Sequence, residues 1–139
     1  MEVFMKKIIT TLACLVFACA FLLGCGGKYT VLKETDEFIV LTPSEDYEGK
    51  KLSEFMDFIK NRGELDYKIE NDMVTSVNGV DNAADYSWCW MLYTDDAANS
   101  NVAWGTVEYN GKAYASATLG ATALTIAKGA TYIWVYTSF

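Results

Sequence analysis

The sequence has 139 residues, a net charge of −7 at pH 7 and no histidine. An acidic chain without a cluster of lysines or arginines repels nucleic-acid phosphates, so no nucleic acid is expected as a partner. Histidine is the commonest base near neutral pH and a usual zinc ligand, and P-loop and dinucleotide-binding glycine patterns are missing too, so we expect no enzyme, no metal and no cofactor.

Residues 1–24 have the layout of a secretory signal peptide. Lys6 and Lys7 precede a weakly polar to apolar stretch over 8–23, and small residues follow. The stretch is shorter than the roughly 20 apolar residues that a transmembrane helix needs. We therefore expect the mature chain to be extracytoplasmic.

The signal peptide ends in "LLGC", which resembles the lipobox of bacterial lipoproteins. In a lipobox the cysteine thiol is acylated and the peptide bond before it is cut, so Cys25 becomes the first residue of the mature chain. Acyl chains anchor a protein because each buried methylene contributes about 0.8 kcal/mol. We expect a lipid on Cys25, a tether over 25–30 and attachment to a bacterial membrane. The alternative is an ordinary signal peptide with an incidental cysteine.

The cysteines are consistent with a lipoprotein. Cys14 and Cys19 leave with the signal peptide and Cys25 carries lipid, so only Cys89 remains in the folded part. No intramolecular disulfide and no zinc site are therefore expected. Cys89 lies between two tryptophans in a strand-like run, which predicts a buried, inert thiol.

The first predicted elements are strands around a charged turn in "TVLKETDEFIVLT", followed by one amphipathic helix in "EGKKLSEFMDFIKNRG". Leu52, Phe55, Met56 and Ile59 fall on one face of this helix, and charged residues take the opposite face. Gly63 marks its end. One face of the helix must therefore cover a sheet.

The rest of the chain predicts short strands separated by turns. Asn71-Asp72, Asn78-Gly79 and Asn110-Gly111 are hairpin-type turn pairs, and Lys128-Gly129 predicts a last hairpin between "ALTIA" and "TYIWVYTSF". The order predicts an α+β domain, with one helix packed on a mostly antiparallel sheet. The predicted strands are "DYKIE", "MVTSV", "WCWMLYT", "VAWGTVEY", "KAYASAT", "ALTIA" and "TYIWVYTSF".

Three stretches of the chain resemble a bacterial domain-of-unknown-function family related to the C-terminal domain of transcobalamin and intrinsic factor. The first is the helix "KKLSEFMDFIK" leading into "YKIENDMVTSVNGV", and the second is the aromatic strand "YSWCWMLYTDD". The third is "LGATALTIAKGATYIWVYT". The resemblance covers residues 31–139. It implies a β-grasp-like fold, and it implies binding of a small ligand, with a corrinoid as the candidate.

The aromatic strands are the candidate ligand-binding surface. Alternation places Trp88, Trp90 and Leu92 on one face of their strand. In the last strand we expect Ile133 and Val135 to point inward. This leaves an aromatic ladder on the other face, suited to stacking on a planar ligand or glycan. The alternative is that both faces are covered and the aromatics are core. The candidate residues are Trp88, Trp90, Tyr93, Trp104, Tyr132, Trp134 and Tyr136.

Two loops carry oxygen ligands without the spacing of a calcium site. The loop 94–101 and the segment 81–85 are rich in Asp and Asn, but neither has the alternating pattern with a glycine and a distal glutamate. Solvated turns are the simpler interpretation, and no metal site is predicted.

These observations predict a lipid-anchored, non-catalytic binding domain. One hypothesis is capture of a small ligand, such as a corrinoid, in a concave aromatic pocket of a few hundred Å³. The alternative is an interaction module for a cell-surface protein or glycan, which predicts a flat exposed aromatic patch instead.

Overall fold

The computed structural model describes residues 27–138. The predicted signal peptide and the lipidation site Cys25 lie outside the described residues. Within 27–138 no helix is long and apolar enough to cross a membrane. Both sheets, the helix and both core clusters described below lie in this part, so it contains the contacts that a domain needs to fold by itself.

The described chain forms an α+β domain with one α-helix and nine strands, as the order of elements predicted. Short 3₁₀ turns at 45–47 and 97–99 connect some of them. The elements are β1 (Thr30–Thr35), β2 (Phe38–Thr42), α1 (Leu52–Asn61), β3 (Tyr67–Glu70), β4 (Met73–Val77), β5 (Val80–Asp81), β6 (Trp88–Thr94), β7 (Ser100–Tyr109), β8 (Lys112–Ala117) and β9 (Tyr132–Ser138).

The strands form two antiparallel sheets. The larger has six strands in the order β1-β2-β9-β6-β8-β7, and the smaller has the order β3-β4-β5. β9 is last in the chain but lies between β2 and β6, where Trp134 pairs with Ile39 on one side and Leu92 on the other. The centre of the large sheet is therefore built from distant parts of the sequence.

The helix forms where its apolar period predicted, and Leu52, Phe55, Met56 and Ile59 are fully buried. Its first turn is capped from two directions. The Glu54 carboxylate accepts the Lys51 backbone N–H at 2.8 Å, and the carbonyl of Leu124 accepts the N–H of Leu52 at 3.0 Å. These bonds satisfy N–H groups that have no partner inside a helix.

The tight turns also form as predicted. Asn71 and Asp72 have φ of 51° and 63°, and both Asn78-Gly79 and Asn110-Gly111 have positive φ at both positions. Two successive left-handed residues match the twist of a two-residue hairpin, which explains why Asn and Gly occupy these positions.

The prediction of a strand at "ALTIA" and of a hairpin at Lys128-Gly129 was wrong. Thr125 makes a single bridge to Lys51, and the rest of this segment is irregular. Its backbone bonds to the chain just before the helix instead, since Ile126 donates to the carbonyl of Lys50 at 2.8 Å and accepts from Gly49 at 2.9 Å. These bonds, together with the bond from Leu52 to the Leu124 carbonyl, use backbone groups that a hairpin with β9 would need.

The predicted orientation of β9 was also wrong. Tyr132 and Trp134 are 0% and 3% exposed and belong to the main core with the helix, whereas Ile133 belongs to a second cluster on the opposite face. Every residue of β9 from 132 to 136 is apolar or aromatic, so alternation alone does not say which face meets the helix. Of the aromatic residues expected to form an exposed ladder in β9, Tyr132 and Trp134 are therefore core residues, and Tyr136 is partly exposed.

The second face of the large sheet is closed by the sheet itself. β1 and β7 are its two edge strands, yet the Tyr109 hydroxyl of β7 donates to the Glu34 carboxylate of β1 at 2.8 Å. The Tyr109 ring also packs on Phe38, with centroids 5.8 Å apart. The sheet therefore curls until its edges meet, and it encloses a cluster of Val40, Tyr93, Tyr114 and Ile133.

The folded domain includes two residues of the expected tether. Thr30 begins β1, and Tyr29 is buried against the rings of Phe55 and Phe58. Its hydroxyl donates to Glu64 at 2.8 Å.

Candidate functional site

An apolar pocket of about 250 Å³ lies where the large sheet splits. β6 pairs with β9 along its whole length, but it pairs with β8 only at Tyr93 and Thr94. Earlier in β6, Trp90 instead donates its backbone N–H to the side chain of Asn82 at 2.9 Å. β8 and the chain after it therefore diverge from β6 and leave a gap over Trp90 and Leu92.

Two segments complete the walls of this pocket. The β3–β4 turn contributes Asp72 and Met73, and the chain after β8 contributes Leu119 and Gly120. The two segments approach closely, because a Cβ on Gly120 would lie 3.3 Å from the carbonyl oxygen of Asp72. Met73 and Leu119 are 42% and 44% exposed, so apolar side chains stand at the opening. The lining residues are Asp72, Met73, Val74, Cys89, Trp90, Met91, Leu92, Ala117, Thr118, Leu119, Gly120, Ala121 and Trp134.

Trp134 differs from Trp90 in the hydrogen bonding of its indole N–H. Its ring is 3% exposed, and its Nε1 is buried without a hydrogen-bond partner in residues 27–138. Trp90, which also lines the pocket, donates its Nε1–H to the Val80 carbonyl at 2.7 Å. Buried tryptophan N–H groups usually have a partner, so the environment of Trp134 is unusual.

The pocket contains little charge. Asp72 is the only acidic or basic side chain in its lining. Cys89 is buried, its thiol lies 3.8 Å from the Met91 sulfur, and burial raises the pKa of the thiol. The thiol therefore stays protonated near neutral pH, as expected of an inert cysteine.

The structure places the predicted site residues in three different environments. Trp90 and Trp134 line the apolar pocket. Tyr93 and Tyr132 are core residues on opposite faces of the sheet, and Tyr132 accepts the Ala127 backbone N–H at 3.0 Å. The other three, Trp88, Trp104 and Tyr136, are exposed or partly exposed.

Trp88 and Tyr136 form an aromatic edge beside the small sheet. Their ring centroids lie 5.7 Å apart, and Tyr136 also contacts the ring of Trp90 at 5.5 Å. The Tyr136 hydroxyl donates to the Asp81 carbonyl at 2.9 Å. Trp88 is 45% exposed, so this edge offers one accessible ring.

A polar groove of about 250 Å³ lies on the small sheet near that edge. Lys68, Glu70 and Asp81 contribute charged side chains, and Tyr86 stands at its border. Tyr86 is 56% exposed and has φ of 60°, an uncommon backbone conformation for a bulky residue. The groove thus combines an aromatic ring with several hydrogen-bonding groups.

Trp104 lies on a bulge at the edge of the large sheet. The pairing of β7 with β8 skips from Asn101 to Thr106, and Gly105 has φ of 122° within the skipped segment. Val102 and Trp104 are 73% and 62% exposed there. The bulge therefore exposes these side chains in a part of β7 that makes no pairing with β8.

The acidic loop at 94–101 has a structural role. Asp95 accepts the Thr131 backbone N–H at 2.8 Å and pairs with Lys112 at 2.7 Å. Asp96 accepts the Ala98 N–H at 3.1 Å and so caps a 3₁₀ turn. Residues 27–138 contain no group of three or more side chains arranged to hold a metal ion.

A third depression lies between the helix and β3. Here the Tyr67 hydroxyl donates a short hydrogen bond to the Asp57 carboxylate, and Lys60 donates to the Tyr67 carbonyl at 2.9 Å. Burial, followed by the bond to Asp57, raises the pKa of Tyr67 well above its ordinary value of 10.0. A phenol held in its protonated form is a hydrogen-bond donor and a poor base.

No family model matches this chain, and no curated protein or solved structure is significantly similar to it. Met73, Leu119 and Gly120 were missed by the sequence analysis because they lie in or next to turns. Gly120 is not among the glycines with positive φ, so the close approach of the Asp72 carbonyl is the structural reason for a residue without a side chain there.

Proposed function

We propose that this protein is a non-catalytic, lipid-anchored domain of a bacterial cell surface that binds a small ligand in the apolar pocket. The observation that carries the proposal is the pocket itself, with Trp90, Trp134 and exposed apolar side chains at its opening. Ligand sites are concave and mostly apolar, with a few polar groups that fix orientation.

The resemblance to the transcobalamin-related family supports small-ligand binding and a β-grasp-like arrangement of the sheet and helix. A pocket of about 250 Å³ lies below the range of typical drug-sized sites. A corrinoid would place only a side group in it, so we propose a smaller ligand. Attachment through Cys25 would hold the pocket close to a membrane transporter.

Titration of residues 26–139 with isopropylbenzene tests the proposal. We expect saturable changes in the backbone amide signals of Leu92, Leu119 and Ala121, observed by NMR. Ala117→Leu fills the pocket and should abolish them. Ala113→Leu, the same change at an exposed position of β8, should not. Changes that are absent, or that persist in Ala117→Leu, would contradict the proposal.

The polar groove supports a second candidate function, recognition of a glycan. Sugar recognition needs an aromatic face with hydrogen-bonding side chains around it, and Tyr86 provides that face beside Glu70 and Asp81. Binding of soluble cell-wall oligosaccharides that is lost in Tyr86→Ala and kept in Trp104→Ala would favour this function. Binding that is lost only in Trp104→Ala would point to the β7 bulge instead.

A further inference from the structure

We infer that the polar groove on the small sheet selects sugars with a free, protonated amine over their neutral N-acetylated counterparts. This inference rests on glycan recognition, the second candidate function above, and adds the chemical class of the sugar. It combines the charges of the groove with the placement of its carboxylates on one face of the sheet.

Two of the charged side chains in the groove lie on the outer face of β3. Tyr67 and Ile69 pack on the main core of the domain. Because side chains alternate along a strand, Lys68 and Glu70 point to the opposite face, and both are exposed. Both residues line the groove, so the groove opens on this face.

The third charged side chain, Asp81, lies on the same face. Lys68 pairs with Ser76 of β4, and Ser76 pairs with Asp81 of β5, so the three residues form one row across the small sheet. Residues paired in this way point to the same side. The hydroxyl of Tyr136 donates to the Asp81 carbonyl at 2.9 Å. Asp81 is therefore held in place at the groove while it remains exposed.

The charges of the groove favour a cationic ligand. Its lining contains two carboxylates, those of Glu70 and Asp81, and one ammonium group, that of Lys68. The ion pairs within residues 27–138 involve none of these three groups. A protonated amine therefore meets two opposite charges against one like charge and gains an attraction that a neutral N-acetyl group lacks. The Tyr86 ring favours the same charge, because aromatic faces attract cations within about 6 Å.

The trimers of glucosamine and of N-acetylglucosamine form a matched pair for the test, because they share rings and linkage and differ in acetylation. Both are titrated into residues 26–139 at about pH 6, and the amide signals of Glu70, Asp81 and Tyr86 are followed by NMR. We expect both trimers to bind and the glucosamine trimer to bind roughly 2- to 10-fold more tightly, the value of one or two exposed ion pairs. Added salt should reduce this difference, because salt screens exposed charges.

Charge-removing variants assign the preference to the groove. The variant that combines Glu70→Gln with Asp81→Asn keeps the shape of both side chains and removes their charges, so the preference for the free amine should disappear. Glu108→Gln is the matched control, because Glu108 is an exposed strand residue of the other sheet and does not line the groove. It should keep the preference.

The outcomes separate the inference from the function on which it rests. If neither trimer binds, glycan recognition at the groove fails together with the inference. If both bind with equal affinity, or the acetylated trimer binds more tightly, glycan recognition stands and the preference for an amine is overturned. The inference is also overturned if the combined variant keeps the preference. It is overturned as well if Glu108→Gln loses the preference to the same extent, because the net negative charge of the whole chain would then explain the attraction.

Discussion

The two faces of the six-stranded sheet are both apolar, but they are covered in different ways. The first face packs against a separate layer, with Phe55 and Met56 of the helix fully buried on it. The second face has no such layer and is enclosed when Tyr109 reaches Glu34 across the curled sheet. An apolar strand face therefore indicates burial without indicating which element buries it.

The largest effect in this comparison is expected from Phe55→Ala on the first face. Phe55 is fully buried and packs on the rings of Tyr29 and Tyr47. We expect the free energy of unfolding to fall by about 3–5 kcal/mol, measured by urea denaturation. Phe58→Ala, at a partly buried position of the same helix, is the control. An equal loss in both variants would contradict the central place of Phe55.

A smaller effect is expected from Tyr109→Ala, which opens the second face. The variant loses the ring contact with Phe38 and the bond to Glu34, and we expect a loss of about 2 kcal/mol. Tyr109→Phe keeps the ring and should lose less than half of that. If Tyr109→Ala denatures like the parent protein, closure by the sheet edges contributes nothing to stability.

The helix-covered core should also weaken at alkaline pH through Tyr67. Its pKa is raised by burial and by Asp57, so the folded state keeps the phenol proton after the unfolded state has lost it. The free energy of unfolding therefore falls as pH rises above about 10. Tyr67→Phe should be about 1 kcal/mol less stable near pH 7. Its free energy of unfolding should fall less steeply than that of the parent protein between about pH 9 and 11. An identical alkaline slope would contradict this assignment.

The smallest effect is expected outside both faces, at the β7 bulge. Trp104 is 62% exposed, so Trp104→Ser should change the free energy of unfolding by less than about 0.5 kcal/mol. Thermal denaturation checks this value, with Trp90→Ser as the contrasting buried change. A large loss at Trp104 would mean that the bulge packs against part of the domain after all.

Local patterns predicted most elements correctly. The helix follows from the 3.6-residue spacing of Leu52, Phe55 and Ile59, and the hairpins follow from turn pairs that accept positive φ, such as Asn110-Gly111. Each of these signals depends on residues close together in the sequence. The α+β class was therefore predictable.

Features that depend on distant contacts were not predictable. The segment around Thr125 has a strand-like composition but bonds to residues near Lys51, more than 70 positions earlier. The apolar pocket likewise needs β3–β4, β6, β9 and the chain after β8 together. Trp90 and Trp134 could be identified from the sequence as aromatic candidates. The cavity that both residues line could not be predicted.

The central position of β9 has a consequence for how the chain folds. Residues 38–42 and 88–94 cannot join into one sheet until Tyr132–Ser138 has arrived between them. Pairings that close such long loops are slow to form. Until that step, the growing chain remains without its central pairing. The large sheet therefore cannot be completed before the last strand of the described chain is available.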